Sequence, residues 1–491
     1  MDSITVIKSL QDKGFLISPE ALQRIMAATN PDELAELALK NAEGKLSIEL
    51  ADLEHREKTK IVAEEKPVLV EHTSFRPLAK DVESRVSVRD AGGDTHSLGG
   101  IDDFFKHFND RYDQLKGMLM HRGHNPFTPI NNLNNRKGQR VKLIVMLDEK
   151  KATKNGHVIF QLEDPTGTLT ALVPKSNAPL IRATANLIQD QVMGVEGRIS
   201  KDLFIVDDFF EPELPPRSVR TIDENICLAM TSDMHIGSKL FMKKNFEQFL
   251  EWLKGKKGDE LQRELAGRIK YLTIAGDLVD GVGTYPGQEK ELDISDIYAQ
   301  YDTFSNYIEQ IPDYIHIVIC PGNHDAVKVA DPAPPLPKTL VPRLYERGNV
   351  TLIGSPDLVE LHGQKALMYH GTCFIDMINN MPGLSFDKGA KIMTEFLKKR
   401  HIHPYYGGKP ITPTHHDKLV IREAPDYFHC GESHNNSYEV YNGTICVNSG
   451  TWQQISPYQQ AQGHIVTPCI LPIIDMHRGK IKVMHFDREI E

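Results

Sequence analysis

The stretch ICLAMTSDMHIG, residues 226–237, decides the fold of the larger part of this chain. An unbroken apolar run, Ile226–Met230, stops abruptly at a polar cluster that contains Asp233 and His235. Continuous apolar runs are typical of strands that are buried on both faces, and open α/β sheets place their sites where such strands end. The stretch therefore predicts a buried strand that leads directly into a functional site.

The same pattern recurs along the rest of the chain. The further apolar runs are Tyr271–Ala275 before Gly276-Asp277, Ile315–Cys320 before Gly322-Asn323-His324-Asp325, Lys365–Tyr369 before His370, Tyr427–Cys430 before Gly431-Glu432-Ser433-His434, and Thr444–Val447 before Asn448. Stretches with helical spacing, such as Asn245–Leu253 and Ile297–Ile308, separate several of them. This alternation predicts an α/β sandwich over residues 222–491 that carries its chemistry at the strand ends.

These strand-end clusters favour metal binding when they are taken together. Each one alone is weak, because an Asp-x-His or Gly-Asp pair is common in turns. Together they bring several carboxylates and imidazoles to one place, and burying such groups without a cation costs several kcal/mol each. A metal centre is therefore the preferred interpretation over a purely structural cluster.

Residues 140–210 change to a period of two, which indicates short β-strands. The expected strands are Val141–Leu147, Val158–Leu162, Leu169–Val173, Val192–Ile199 and Leu203–Val206, with a helical stretch Ala178–Ile188 after the third. Five strands with one helix in that place fit the small barrel known as the OB-fold. Phe160 and Phe204 are the few aromatic residues in it, so a structural role is favoured over single-strand binding. Residues 101–215 are therefore predicted to be a helix, Ile101–Met120, plus this barrel, followed by a hinge at Pro212–Pro216. One apolar face is expected on that helix, made of Phe104, Phe105, Phe108, Tyr112, Leu115 and Leu119.

The N-terminal region divides into two parts. Residues 1–45 have apolar positions at helical spacing, with helix starts at Ser18-Pro19 and Asn30-Pro31, and predict a small helical domain. Residues 46–100 are rich in charges of both signs and predict a flexible linker.

Composition excludes several classes of protein. No stretch is long and apolar enough for a membrane span, and the N-terminus lacks the pattern of a signal peptide, so no membrane association and a cytoplasmic location are expected. The six cysteines show no C-x-x-C pair and predict buried apolar residues. A formal charge of −10 argues against broad electrostatic binding of nucleic acid, so contact with DNA must be local, metal-assisted or supplied by a partner.

The ordered clusters resemble the calcineurin-like metallophosphoesterase superfamily. Within it, the phrases SDMHIGSK, AGDLVDGVGTYPGQE, CPGNHDA, MYHG and VNSGTWQQ, behind an OB-like barrel, closely resemble the small subunits of archaeal family D DNA polymerases. The resemblance covers about residues 120–491.

The resemblance implies a role for each matching residue. Asp233, His235 and His434 would bind a first metal ion, Asp277 would bridge two ions, and Asn323 and His370 would bind the second. His324 would protonate or stabilise the leaving oxygen, and Asp325 would orient His324. Manganese is the expected ion, with iron or zinc as alternatives.

Glu432 departs from the family pattern. It stands where the family has the first histidine of Gly-His-x-His, which ligates the second metal. A glutamate oxygen can replace that imidazole, particularly for manganese, so Glu432 is included among the metal ligands. The exchange could equally leave the second ion weakly held.

The resemblance implies a proofreading 3′-5′ exonuclease that hydrolyses DNA phosphodiester bonds with two metal ions. Its partners would be a separate large catalytic subunit of the polymerase and a single-stranded 3′ end of DNA, while recruitment of a sliding clamp stays open. Two alternatives remain: a non-catalytic scaffold subunit that bridges the polymerase, which Glu432 favours, and a free-standing metallophosphatase. Neither the barrel nor the helical region would have a task in the latter.

Overall fold

The computed structural model describes Leu10, residues 16–28, 30–41 and 47–48, Leu53, and residues 75–89, 96–122, 126–136, 138–200 and 203–490. The chain divides into two compact units, Met1–Thr73 and Ser74–Glu491. In the first unit, helices α1 (Pro19–Met26) and α2 (Pro31–Asn41) begin at the two predicted starts. The parallel strands β1 (Leu16–Ile17) and β2 (Ser47–Ile48) pair beside them.

The second unit holds a closed barrel and two six-stranded sheets. Its strands are β3 (Val86–Val88), β4 (Arg140–Ala152), β5 (Val158–Asp164), β6 (Gly167–Val173), β7 (Val192–Ser200), β8 (Leu203–Phe210), β9 (Cys227–Thr231), β10 (Ile269–Ala275), β11 (His316–Cys320), β12 (Val350–Leu352), β13 (Asp357–Leu361), β14 (Gln364–Met368), β15 (Tyr427–Cys430), β16 (Ser437–Tyr441), β17 (Thr444–Asn448), β18 (Ile470–Asp475) and β19 (Lys480–His485). Its α-helices are α3 (Ile101–Met120), α4 (Ala178–Ala183), α5 (Lys243–Leu253), α6 (Glu260–Gly267), α7 (Ile297–Ile308), α8 (Pro342–Glu346), α9 (Phe374–Asn380), α10 (Gly389–Lys399) and α11 (Pro457–Ala461).

The barrel has the strand order β4-β5-β6-β8-β7 and closes where β7 pairs with β4. Every neighbouring pair is antiparallel except β6 with β8, and α4 lies between β6 and β7 in the chain. This arrangement confirms the predicted OB-fold. Phe160 and Phe204 are fully buried in its core, so they do not form an exposed stacking surface.

Two sheets form the predicted sandwich. The first has the order β12-β11-β10-β9-β18-β19, and the second has the order β16-β17-β15-β14-β13-β3. Strands β9 to β12 are parallel to one another, as are β14, β15 and β17. All six apolar runs of the sequence are therefore strands, three in each sheet. Because neighbouring parallel strands end at the same edge, each sheet delivers its strand-end loops together.

The core shows why these runs are continuously apolar. Alternate residues of β9 point to opposite faces: Leu228 and Met230 pack between the two sheets, whereas Cys227 and Ala229 pack under helices α5, α6 and α7. Helices α9 and α10 cover the outer face of the second sheet. Both sheets are thus buried on two sides, which gives four layers of helix, sheet, sheet and helix.

Helix α3 has the predicted bounds, but its buried face differs from the prediction. Tyr112, Leu115 and Leu119 pack on the barrel, as expected from their spacing. Phe105 was expected on that face, but it is 70% exposed. His107 and Arg111 are buried instead, because they meet Asp417 of the sandwich.

Parts of two predicted flexible segments have defined structure. Within the expected linker of residues 46–100, Val86–Val88 form β3, which extends the second sheet beside β13. Residues 46, 49–52, 54–74 and 90–95 of that linker lie outside the described residues. The expected hinge at Pro212–Pro216 is held in place, because the Glu213 amide donates to the Lys398 carbonyl at 2.8 Å and Leu214 is buried.

Two predictions from composition can be compared with the structure. All six cysteines are free and buried, as predicted. Within the described ranges, none of the helices combines the length and the apolar character needed to cross a membrane.

Candidate metal centre

The predicted site residues meet where the two sheets present their strand-end loops to each other. Asp233 and His235 follow β9, Asp277 follows β10, and residues 323–325 follow β11, which are neighbours in the first sheet. His370 follows β14, and Glu432 and His434 follow β15, which are neighbours in the second sheet. The site therefore lies across the junction between the sheets.

One cluster joins Asp233, His235 and His434, all of them buried. Their candidate ligand atoms lie within 4.8 Å of one another. The Nε2 atoms of His235 and His434 are 3.0 Å apart, and His434 Nε2 is 3.4 Å from Asp233 Oδ1. This is the group that the sequence assigns to the first metal ion.

A second cluster surrounds Asp277. Its carboxylate lies 3.6 Å from His235 Nε2 through Oδ2 and 3.3 Å from His370 Nε2 through Oδ1. Asp277 thus stands between the two clusters, where a bridging ligand belongs. Glu432 also reaches this cluster, since its Oε2 is 3.0 Å from His370 Nε2. The carboxylate of Glu432, the residue that departs from the family pattern, therefore points at the predicted second metal site.

The loop after β11 closes the site from the side of the first sheet. The His324 amide donates to Asp277 Oδ1 at 2.9 Å, and the ring of His324 lies 4.8 Å from that of His235. Asn323, between Gly322 and His324, has a buried Oδ1 that has no hydrogen-bond partner among the described residues. The structure thus brings all the predicted metal-ligating residues to one place.

Asp325 does not act on the His324 ring as predicted. Its carboxylate accepts hydrogen bonds from the Gly322 amide at 2.8 Å, the Leu278 amide at 3.3 Å and the Tyr301 hydroxyl at 3.0 Å. Burial and the charge of Asp277 raise the pKa of Asp325 to about 6. Asp325 therefore shapes the loop, while His324 Nδ1 lies 2.8 Å from the Asp280 carbonyl, which fixes the ring.

Asp280 is a functional residue that the sequence reasoning missed. Its Oδ1 is 3.1 Å from His235 Nδ1, so it leaves His235 Nε2 directed into the site. The other imidazole is held by Gln459, whose Nε2 lies 2.9 Å from His434 Nδ1. Asp280 stands within the phrase AGDLVDG, three residues after Asp277, and that spacing was the available signal.

The backbone of the site is unusual. Asp233, His235, Asp277, Glu432 and His434 all have φ between 49° and 68°, a region that non-glycine residues rarely adopt. Such conformations cluster at functional sites, where the surrounding structure holds them. Glycine is required at Gly322, because a Cβ there would lie 2.2 Å from Asp277 Oδ1.

The buried charges strongly influence one another. Burial alone would raise the pKa of Asp277, but His370 and His324 hold it well below its ordinary value. Burial opposes the charged form of His370, yet Asp277 and Glu432 hold the pKa of that imidazole well above its ordinary value. The carboxylates of the site therefore require positive charge beside them.

The donor set fits divalent metal ions. It offers carboxylate oxygens, imidazole nitrogens and an amide oxygen within a few ångströms, which is the mixture that manganese, iron and zinc accept. One of the predicted second-site atoms, Asn323 Oδ1, is buried and makes no hydrogen bond among the described residues. Buried polar atoms are normally satisfied, so this oxygen is free to bind a metal ion.

Five further histidines have partners outside the candidate metal centre. His429, on strand β15, lies 2.9 Å from both Thr273 Oγ1 and Ser449 Oγ. His401 contacts Asp417, and His403 contacts Asp331. His415 and His416 contact carboxylates of α3.

Comparisons with known proteins agree with these observations. Residues 228–439 match the family model that describes the B subunit of DNA polymerase alpha/epsilon. The chain is 39% identical over 406 residues to the DNA polymerase II small subunit of Methanocaldococcus jannaschii, which covers 81% of this chain and 68% of that one. It is 35% identical to the protein of the same name from Archaeoglobus fulgidus, over 94% of this chain and 93% of that one. The match to the Thermoplasma acidophilum small subunit, at 31% identity, covers 99% of this chain and 94% of the other.

Solved structures of phosphoesterases are more distant. The phosphoesterase Yfce from E. coli matches at 14% identity with a TM-score of 0.26, over 53% of this chain and 100% of that one. A predicted phosphoesterase from Streptococcus pneumoniae matches at 12% identity with a TM-score of 0.24, over 54% of this chain and 92% of that one.

Proposed function

The chain belongs to the DNA polymerase II small-subunit family of archaea, and from this premise we propose that it is the proofreading 3′-5′ exonuclease of a family D DNA polymerase. In this proposal it removes nucleotides from the single-stranded 3′ end of DNA by metal-dependent hydrolysis, in the cytoplasm. A small subunit implies a large one, and the large subunit would be the polymerase itself.

One observation carries the proposal: loops from both sheets deliver a complete donor set to one place. A scaffold that had lost its chemistry would have no reason to keep strained backbone at five of these residues or an unsatisfied buried oxygen on Asn323. In addition, the carboxylate of Glu432 lies 3.0 Å from His370 Nε2. This contact supports a ligand role for Glu432 at the second metal ion.

The residues of the chain would divide the work as follows. Bound metal ions supply Lewis acidity and an activated water for attack on phosphorus. Asp233, His235 and His434 would hold one ion, His370, Asn323 and Glu432 the other, and Asp277 would bridge them. Asp280 holds the His235 ring through Nδ1 and the His324 ring through its carbonyl.

His324 has the position of a proton donor. Its Nδ1 is engaged with the Asp280 carbonyl at 2.8 Å, which leaves Nε2 for the substrate. In the proposed reaction the P–O3′ bond breaks, and His324 Nε2 gives a proton to the departing O3′ oxygen. The product would be a nucleoside 5′-monophosphate and a strand one residue shorter.

The test is the degradation of a 5′-labelled single strand with added manganese, by the chain alone and in complex with its large subunit. We expect stepwise shortening by the wild type and at least a hundred-fold loss in Asp277→Asn, because this change removes the charge that both clusters share. Asp293→Asn is the matched control, since Asp293 is exposed and lies outside the site. Equal activity in wild type and Asp277→Asn would refute the proposal.

The scaffold function is the second candidate, and the presence of glutamate at position 432 favours it. In that case the wild type would bind the large subunit and cut nothing, with or without manganese. Restoration of cutting by Glu432→His would then identify the chain as a scaffold derived from a nuclease. Copurification with a large polymerase chain separates both candidates from a free-standing phosphatase.

A further inference from the structure

Tyr285 stands at the outer edge of the candidate metal centre. Its ring lies 6.4 Å from the ring of His324 at an interplanar angle of 65°, and the His324 ring lies 4.8 Å from that of His235. The Tyr285 side chain is 39% exposed, and Val282 of the same loop is 49% exposed. An aromatic ring and an apolar side chain thus face solvent beside the residue that would protonate the leaving oxygen.

The loop that carries Tyr285 is held firmly at both ends. The buried Gln288 side chain donates to the Asp280 carbonyl at 2.8 Å and accepts from the Thr284 amide at 2.9 Å. The buried Gln300 side chain accepts from the Gly281 amide at 2.9 Å. Asp280 is also the partner of His235, so the loop has a fixed position relative to the site.

The ring itself is also fixed. The Tyr285 hydroxyl donates to Glu291 Oε2 at 2.9 Å, which restrains the side chain although it is partly exposed. A restrained aromatic side chain loses little conformational freedom when a ligand stacks on it.

We infer that Tyr285 is a binding residue that stacks on the base of the 3′-terminal nucleotide and thereby places the scissile phosphodiester beside His324. The inference rests on the proposed function and names how that site recognises single-stranded DNA. Every base has a face on which an aromatic ring can stack, so such contacts tolerate any sequence, as proofreading requires. Stacking also needs no basic surface, which suits a chain with a formal charge of −10.

The test combines two strands with three proteins. One strand ends in an ordinary 3′ nucleotide and the other in an abasic 3′ residue, and KM and kcat are measured for wild type, Tyr285→Phe and Tyr285→Leu in the complex with manganese. Tyr345→Leu is the matched control, because Tyr345 is 42% exposed and its hydroxyl is also bonded, to the Leu336 carbonyl.

In the wild type, removal of the terminal base should raise KM about ten-fold, within the range typical of base stacking on aromatic residues. The same should hold in Tyr285→Phe and in Tyr345→Leu. In Tyr285→Leu the two strands should have equal KM values, because nothing remains for the base to stack on. A base effect in Tyr285→Leu as large as in the wild type would overturn the inference.

The inference can fail independently of the proposed function. If the wild type cuts neither strand, the exonuclease proposal fails, and binding of the two strands is then measured by fluorescence anisotropy with the same proteins. A preference for the strand with the terminal base that is lost only in Tyr285→Leu would support the stacking role. Equal binding of both strands by the wild type would refute it.

Discussion

Glu432 is the candidate metal ligand that departs from the family pattern. It brings a third carboxylate to the candidate ligands Asp233 and Asp277, at a position where the resemblance leads us to expect an imidazole. The Glu432 amide also donates to the carboxylate of Asp233 at 3.2 Å, so the residue is held by both its backbone and its side chain. A carboxylate ligand at this position favours hard, oxygen-preferring ions such as manganese over zinc.

Glu432→Gln should weaken manganese binding at the second site by at least ten-fold, because it removes a charged oxygen ligand and keeps the shape of the side chain. Equilibrium dialysis with manganese measures both the number of ions and their affinity. Glu439→Gln serves as the control, since Glu439 is exposed on strand β16. Unchanged affinity for both ions would show that Glu432 is not a ligand.

The strand-end residues could be predicted from the sequence because their signal is local. A carboxylate or imidazole directly after an apolar run is placed by the strand itself, which is why Asp233, Asp277 and His370 were found. Asp280 and Gln459 were missed because their function depends on contacts between distant segments. Asp280 becomes important only when the loop after β10 folds back on His235. A repeat of apolar residues in the sequence does not indicate such a contact.

At the scale of elements, His429 joins the two sheets. It is fully buried on β15 of the second sheet, its Nδ1 lies 2.9 Å from Thr273 on β10 of the first sheet, and its Nε2 lies 2.9 Å from Ser449. Burial lowers the pKa of His429 to about 3. The folded sandwich therefore requires this imidazole to be neutral.

This requirement predicts how stability depends on pH. The unfolded chain takes up a proton on His429 below its ordinary pKa of about 6.5, whereas the folded protein does not until about pH 3, so stability is lost as the pH falls through that window. At pH 4.5 the loss from His429 should be on the order of 2–3 kcal/mol. His429→Gln, which stays neutral, should lose that much less stability between pH 7.5 and pH 4.5 in urea unfolding.

His477→Gln is the control for this experiment, because His477 is exposed in the turn after β18. It should follow the wild type at both pH values. A pH dependence in His429→Gln that is as steep as that of the wild type would contradict the assignment of the loss to the buried imidazole.

A buried carboxylate, Asp417, links helix α3 to the sandwich. Asp417 Oδ2 accepts from Arg111 Nε at 2.8 Å and lies 2.9 Å from His401 Nε2. Burial would raise the pKa of Asp417, but His401 and Arg111 hold it well below its ordinary value. The guanidinium of Arg111 already supplies the cation here, which argues against a third metal at this cluster.

Asp417→Asn should destabilise the contact of α3 by about 3–5 kcal/mol, because it leaves the Arg111 charge buried without a counter-charge. Hydrogen exchange of the amides of Ile101–Met120 measures the effect locally, and their protection should fall. Asp113→Asn is the control, since Asp113 is exposed on the same helix. Unchanged protection in Asp417→Asn would mean that the apolar contacts of α3 hold it without the ion pair.

The elements themselves differ in how far the sequence predicts them. The bounds of α3 and α7 agree with their apolar spacing, because the buried face of an amphipathic helix is visible as a repeat in its own sequence. The placement of Phe105 failed because Arg111 and His107 shift the buried face toward Asp417, a partner about 300 residues away. Strand β3 was missed because three residues are too few to show an alternating pattern. It is stabilised by its pairing with β13.

At the scale of the whole molecule, the candidate metal centre lies where the two sheets are joined. Asp233 and Asp277 come from loops of the first sheet, and Glu432 comes from a loop of the second. These carboxylates repel one another across the junction unless cations lie between them. Bound ions would therefore hold the two halves of the sandwich together in addition to any catalysis.

Manganese should consequently stabilise the sandwich against unfolding. Ligand linkage predicts about 2.7 kcal/mol when the free ion is at a hundred times its dissociation constant. Trp252 and Trp452 are the two tryptophans of the chain, and both are buried in the sandwich under its first sheet. Their fluorescence therefore reports the unfolding of this domain without contribution from the barrel.

The midpoint of unfolding should rise with manganese and fall on chelation in the wild type. In Asp277→Asn, which lacks the shared carboxylate, manganese should shift the midpoint much less than in the wild type. If manganese shifts both proteins equally, the ions bind elsewhere and the two sheets are held together by their apolar core alone.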